Sequence, residues 1–330
     1  MTENKKEDLD LIKACEDGYL EKVKSIINSG VDINKKYEDR KNVTALIVAS
    51  NNGNLDIVKC LVENGANVDA NDNDGWTALM MALDNSHFKV ADYLLEKGAD
   101  INAQNINGAT ALMMALDNSH FKVADYLLEK GADINTKNDS GDTALICASR
   151  FGYDETVLYI LAEVEKGKKV DLDSKDNNGN TALMYAVFRH NIKLVKYLIK
   201  NKANINAKNN KGSTALICAS YSGYLEIVKY LVENGADINA KDNNGWTALM
   251  WSSISSNNLK IENEEDIIAN SDGWTALKSN LFKRNLEIVE YLIKNKADVN
   301  IENNDKETAL DLAKNEEIRK LLIEAMKNNK

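Results

Sequence analysis

The chain has 330 residues, is 44% hydrophobic and 28% charged, and carries a formal net charge of −10. That charge disfavours nucleic acid, whose phosphates require a basic face. The longest apolar run, Ala182–Phe188, is far too short to span a bilayer, so no membrane insertion is expected.

The first ten residues, MTENKKEDLD, are charged and lack the apolar stretch of a secretory signal. Residues 1–8 are expected to be disordered. From residue 9, Leu11, Ala14, Gly18 and Leu20 begin a helical pattern that closes on Gly30-Val-Asp-Ile-Asn34. Charged Lys13, Glu16, Asp17 and Glu21 suit an exposed end, so residues 9–40 are expected to form an N-terminal cap.

Thr-Ala-Leu then recurs at Thr44, Thr77, Thr110, Thr143, Thr181, Thr214, Thr247, Thr275 and Thr308, with spacings of 33, 33, 33, 38, 33, 33, 28 and 33 residues. A fixed period of this length marks one small unit stacked on copies of itself. In the copy beginning at Asp74, Gly75 supplies the positive φ of a tight hairpin. Thr77 stands where an N-cap belongs, and Ala78, Leu79 and Ala82 follow at helical spacing. After a break at Asp84–His87, the residues Phe88, Val90, Ala91, Leu94 and Leu95 form the apolar stripe of a second helix, which Gly98 ends. Such a unit is apolar on two sides and cannot alone offset a chain entropy of about 1–2 kcal/mol per residue, so it must stack. Residues 77–102 recur unchanged as 110–135, a recent duplication.

Two copies are off-length. Five extra residues between Thr143 and Thr181 are expected to lengthen a second helix through Glu163–Lys169. Five are missing between Thr247 and Thr275, where 252–270 reads as drift, a hinge or a recognition loop with the acidic run Glu262-Asn-Glu-Glu-Asp266. In two C-cap positions Lys202 and Lys296 replace glycine. The last copy, from Thr308, turns polar, as a terminal unit should.

Asn244-Gly-Trp-Thr-Ala-Leu249, Ser222-Gly-Tyr-Leu-Glu-Ile-Val228 and Leu231-Val-Glu-Asn-Gly-Ala-Asp-Ile-Asn239 carry a close resemblance to the ankyrin-repeat family over residues 9–325. The resemblance implies an all-α repeat solenoid of helix-turn-helix units with β-hairpin loops. About ten units are expected in one domain: the N-terminal cap, internal repeats over 41–304, a C-terminal cap over 305–325 and a tail at 326–330. The chain departs from the family pattern in having no proline, with alanine in that slot. The histidine slot three after each Thr holds Ile47, Met80, Met113, Ile146, Met184, Ile217, Met250, Lys278 and Asp311. Apolar packing is therefore expected where the family has a Thr–His network.

No P-loop, dinucleotide fingerprint or Gly-x-Ser-x-Gly occurs, and His87, His120 and His190 have no metal-ligand spacing. Cys15, Cys60, Cys147 and Cys218 lie far apart and read as buried free thiols. No catalytic residue, metal or cofactor is expected. The resemblance implies a non-catalytic scaffold that binds a protein partner through its concave face and hairpin tips. The charged N-terminus and the dispersed cysteines read as those of a cytosolic protein, expected to be monomeric. An exported effector acting on a host protein, or an enzyme or small-molecule binder with a pocket near 247–275, are the alternatives.

Family partner contacts come from the residue before the Thr and from those seven and eight after it. Those positions hold Asn51-Asn52, Asp84-Asn85 and Asp117-Asn118 in the early repeats, then aromatic and basic residues. The candidate contacts are Trp76, Arg150, Phe151, Phe188, Arg189, Tyr221, Trp246, Trp274, Phe282 and Lys283. Trp, Tyr and Arg dominate binding hot spots; packing against neighbouring repeats is the competing explanation.

Overall fold

The computed structural model describes residues 11–254 and 271–328, with side chains in the second stretch from Lys283 onward. The expected disorder of residues 1–8 and the acidic run Glu262–Asp266 lie outside them, as does most of the irregular 252–270 stretch. Two compact units, Met1–Cys147 and Ala148–Lys330, divide inside one helix.

The first unit holds α1 (residues 11–16), α2 (Leu20–Asn28), α3 (Ala45–Asn51), α4 (Leu55–Glu63), α5 (Ala78–Asp84), α6 (Phe88–Glu96), α7 (Ala111–Asp117) and α8 (Phe121–Glu129). The dividing helix is α9 (Ala144–Phe151). The second unit continues with α10 (Asp154–Glu165), α11 (Ala182–Phe188), α12 (Ile192–Lys200), α13 (Ala215–Tyr221), α14 (Leu225–Glu233), α15 (Ala248–Ser253), α16 (Ser271–Lys294), α17 (Ala309–Leu312) and α18 (Glu316–Asn328). The duplicated sequence gives identical bounds in α5 and α7 and in α6 and α8, so local chemistry sets where each helix starts and stops.

That chemistry follows the expected pattern. The Thr77, Thr214 and Thr247 hydroxyls each accept the amide three residues on at 3.3 Å, which satisfies one of the free donors of the first turn. Behind each cap the residue in the histidine slot, from Ile47 to Met250, is buried. The terminal repeat differs: Asp311 accepts from the Thr308 hydroxyl at 2.7 Å and its amide at 2.9 Å, a capping box. These donors hold the Asp311 carboxyl below its usual value of 3.8. A depressed folded-state value stabilises the fold above the ordinary value, and the contribution disappears as pH falls through the folded-state value. Acid should therefore loosen this last repeat, and Asp311→Asn should flatten that pH dependence in an acid titration followed by circular dichroism.

The second helices from α2 to α16 each end on a left-handed residue. Gly98 has φ 89°, and Lys202 and Lys296, standing in the glycine position, are both held at 69°. A side chain there costs about 1–2 kcal/mol, against which glycine loses more backbone entropy on folding. Lys202→Gly and Lys296→Gly should each add roughly 0.5–1 kcal/mol and raise the melting temperature. A fall for both would contradict the cap geometry.

Asn and Asp side chains join the turns. Asp72 Oδ1 accepts Asp74 N at 2.9 Å and Trp76 N at 2.8 Å, and Asp242 Oδ1 does the same for Asn244 and Trp246. Among the described residues the hairpins form only isolated bridges, such as Asn71 with Thr77, so the expected β-hairpin loops are tight turns without extended ladders. Neighbouring repeats are laced by a second set: Asp100 N donates to Asp69 Oδ1 at 2.9 Å, and Asp237 N to Asn206 Oδ1 at 2.7 Å. On the second helices, Lys59 lies over the Tyr93 ring at 5.8 Å and Lys196 over Tyr230 at 5.5 Å.

Two expectations at the irregular repeats change. Helix α10 stops at Glu165, where Gly167 turns left-handed at φ 92°, so the expected extension through Lys169 is only partly helical. More consequentially, Thr275 does not cap a helix of its own: the continuous α16 runs through it. The inter-repeat bonds show the register. Asp298 N reaches Asn239 Oδ1 across 59 residues where other repeats span 31. Lys241 Nζ reaches Glu302 O across 61 where Lys208 Nζ reaches Lys241 O across 33. Both exceed the norm by 28, the spacing between Thr247 and Thr275. Helix α15 is thus completed by α16, on which it packs, and the described residues hold nine helix pairs.

Candidate protein-binding surface

Three first helices, α9, α11 and α13, end in large side chains that the stack leaves outside. Phe151 is 52% exposed, Phe188 42% and Tyr221 53%. Each closes its helix, at the end of α9, α11 and α13. The last residues of α3, α5 and α7 are Asn51, Asp84 and Asp117, seven after the Thr like Phe188 and Tyr221; in the longer α9 that position is Arg150, and Phe151 follows it. Helices α3, α5 and α7 therefore close on a small polar residue, and α9, α11 and α13 on an exposed ring.

Underneath lies a polar and aromatic layer. The Asp176 carboxylate is fully buried, and its Oδ2 accepts Arg150 Nη2 at 2.9 Å and the Tyr185 hydroxyl at 2.6 Å. Its Oδ1 takes the amides of Asn178 and Asn180 at 2.9 and 2.8 Å. Arg150 stacks on the Tyr185 ring at 4.8 Å, and the Phe188 ring meets Tyr185 edge-on at 5.8 Å. Burial, and then the bond to Asp176, hold the Tyr185 phenol above the usual tyrosine range.

The arrangement repeats further on. Trp251 Nε1 donates to Asp242 Oδ2 at 3.2 Å, again nine residues apart. The Trp251 ring takes Tyr221 edge-on at 5.0 Å and Trp246 at 4.6 Å with a 38° tilt. Asp176 and Asp242 thus each brace an aromatic residue of a first helix: Tyr185 supports Phe188 at the end of its own helix, and Trp251 supports Tyr221 at the end of α13 in the repeat before.

The sequence-derived candidates therefore divide by environment. Phe151, Phe188 and Tyr221 present open faces. Arg150 is half-buried and turned into its own repeat stack. Arg189 is exposed, with Nη2 donating to Phe151 O at 3.1 Å. Trp246 is half-buried against Trp251, and Trp76 is half-buried at a hairpin of the first unit. Lys283 is exposed on α16; the side chains of Trp274 and Phe282 lie outside those described. Sequence reasoning missed Tyr185 and Trp251. Their signal was the residue four after the Thr, aromatic in these two repeats and Val48, Met81, Met114, Cys147 or Cys218 in others.

The remaining candidates for chemistry have structural surroundings. His87 Nε2 lies 3.1 Å from Asn51 O, and His190 stacks on Tyr224 at 4.2 Å. The four cysteines are free thiols, three buried and Cys60 half-buried. Burial pushes Cys15 and Cys218 up to about 12, away from the reactive thiolate. Among the described residues no group of His, Cys, Asp and Glu is arranged to hold a metal, and no helix is long and apolar enough to cross a membrane.

Capped helix pairs with left-handed ends, joined by tight turns that bond to the turns before them, define a helical repeat solenoid whose outward side chains are free to vary. The family model for ankyrin repeats (3 copies) matches residues 11–105, 98–172, 165–242, 206–262 and 256–330, and the chain belongs to the ankyrin-repeat family. Among solved structures, the ankyrin repeat domain of Bcl-3, described as a unique member of the IkappaB protein family, is 32% identical with a TM-score of 0.56. That alignment covers 63% of this chain and 93% of the Bcl-3 chain. A search of the curated proteins finds no match. Membership of this family makes the chain a protein–protein interaction module.

Proposed function

We propose that the chain is a non-catalytic scaffold that docks a protein partner on the second unit, centred on Phe151, Phe188 and Tyr221. The observation that carries this reading is the contrast at the position seven after the Thr, which holds Asn51, Asp84 or Asp117 in three repeats and Phe188 or Tyr221 in two others, with Phe151 one residue further on in its repeat. Asn51, Asp84 and Asp117 end their first helices without a ring, so the fold does not require one there. Leaving large rings in water forgoes burial worth about 25 cal/mol per Å² of apolar surface, which a partner would recover. The braced layer beneath holds the rings in place, so docking loses little side-chain entropy. Arg189, Trp246 and Lys283 border the surface in this reading, while Arg150 acts as a positioning residue through Asp176 and Tyr185. Free thiols at Cys15, Cys60, Cys147 and Cys218 suit a reducing, intracellular setting.

The test is affinity capture from native lysate with the wild-type chain, with Phe188→Asp/Tyr221→Asp, and with Asn51→Asp/Asp84→Asn as a control on the first unit. Circular dichroism would first show the three equally folded. Loss of about 2 kcal/mol or more at a hot spot should remove captured partners from the aromatic variant and leave the control unchanged. Equal capture by all three would rule this surface out.

A further inference from the structure

Arg189 stands between two exposed rings with its charge uncompensated. Phe188 precedes it in the chain, and its Nη2 donates to the carbonyl of Phe151 at 3.1 Å. Among the described residues no carboxylate forms an ion pair with it. Asp154, on the next turn from Phe151, receives Asn191 Nδ2 at 2.7 Å instead. The guanidinium is also held close over the backbone of Gly152: a Cβ on that glycine would lie 2.8 Å from Nη2 and 3.2 Å from Nε. The head group is therefore oriented before any partner arrives, with Nη1 unclaimed by a hydrogen bond among the described residues. Exposed Lys283 and Arg284 add positive charge on the same unit.

The contrast with Arg150 is informative. One residue before Phe151, it is matched by the buried Asp176 carboxylate, so this fold neutralises an arginine where the arginine is structural. Arg189 is left without such a match. A planar guanidinium presents paired donors that fit a carboxylate, and a pre-oriented one gives up little rotamer freedom on doing so. The flanking rings offer contact to apolar side chains on either side of that carboxylate.

We infer that the surface formed by Phe151, Arg189, Phe188 and Tyr221 takes an acidic peptide segment of another protein, an Asp or Glu on Arg189 with apolar side chains against the rings. The inference rests on the reading of this surface as the docking face and specifies what it takes. Nucleic acid fits less well, because phosphate binding draws on a row of cations and the chain as a whole carries −10.

A random peptide library selected on the immobilised full-length chain tests this directly. Retained sequences should be enriched in Asp or Glu flanked by Leu, Ile or Phe. A selected peptide, measured by fluorescence anisotropy, should weaken roughly tenfold or more with Arg189→Gln and less with Arg189→Lys, and be lost with Phe188→Ser/Tyr221→Ser. Its affinity should also fall with added salt, as expected for an exposed charge pair. Enrichment of neutral or basic peptides that still depend on Phe188 and Tyr221 would overturn the acidic class and leave the docking face standing. Tighter binding of single-stranded oligonucleotides than of any peptide, dependent on Arg189, would overturn it in favour of nucleic acid. If no peptide is retained in a manner dependent on Phe188 and Tyr221, both the class and the docking face fall.

Discussion

Asp176→Ala is expected to be the most damaging single side-chain truncation in the second unit, costing about 3–5 kcal/mol. Both carboxylate oxygens are in use, each with two donors: the amides of Asn178 and Asn180, the Tyr185 hydroxyl and the Arg150 guanidinium. Truncation leaves all four donors without this acceptor, and leaves the arginine charge without its match. Water can reach Arg150, whose side chain is 27% exposed, so the loss should fall near the lower end of that range. Asp176→Asn keeps an acceptor for the turn amides and gives up the charge, and should cost about 1–2 kcal/mol. Combining Asp176→Ala with Arg150→Met removes the unmatched charge and should recover part of the loss. Because a solenoid is held repeat by repeat, amide hydrogen exchange is the more telling readout beside urea unfolding. Protection should fall first in α9, α11 and the turn around Asn178. A uniform loss across both units, or none, would show that this cluster does not organise its own repeats. The exposed ring of Phe188, supported by Tyr185, should lose its fixed position in the same variant, which ties this stability experiment to binding.

Most of the helix boundaries could be read from the residues, because each depends on a contact within one turn. Thr77 caps α5 through the amide three residues on, and Gly98 or Lys202 ends a second helix through its own φ. Relations across a turn were hidden. Asp72, Asp176 and Asp242 occupy one position of the hairpin and look alike in sequence, yet only the latter two meet an aromatic partner nine residues on. Arg150 was named as a candidate contact on its position alone, without the bond it makes to Asp176. Its actual partner, 26 residues away, lies beyond the five-residue insertion. The repeat assigned to Thr275 misled for a related reason. Asp-Gly-Trp-Thr-Ala-Leu is a local signal, whereas a repeat needs a completed helix pair on each side. Here Asn304 bonds directly to the turn at Asn243 and Asn244, so the stack closes without a separate unit at Thr275. The change in residue type at the ends of the first helices was legible, but which side chains stand open was a matter of tertiary packing.

Gly212→Ala should cost about 2–4 kcal/mol, far more than a glycine-to-alanine change in a surface turn normally does. Gly212 sits at φ +75°, where a Cβ brings strain of about 1–2 kcal/mol by itself. The added carbon would also lie 2.7 Å from Asn243 N and against Asn243 Oδ1 in the next turn. That amide is committed, donating to Lys211 O at 3.0 Å, while Asn243 Nδ2 donates to Asn210 O at 2.8 Å. The turn cannot retreat without breaking the two bonds that join it to its neighbour. Gly235, at φ +91°, provides the control: a Cβ there meets nothing within 4 Å, so Gly235→Ala should show the backbone strain alone. Paired unfolding measurements on Gly212→Ala and Gly235→Ala therefore separate conformational strain from loss of the turn-to-turn junction. A larger effect for Gly212→Ala, with hydrogen exchange rising in the turns around both Gly212 and Asn243, would identify the interlocked turns as a mechanical link between repeats. Equal effects would mean that the turns touch without holding the stack together, leaving the apolar helix faces to do so.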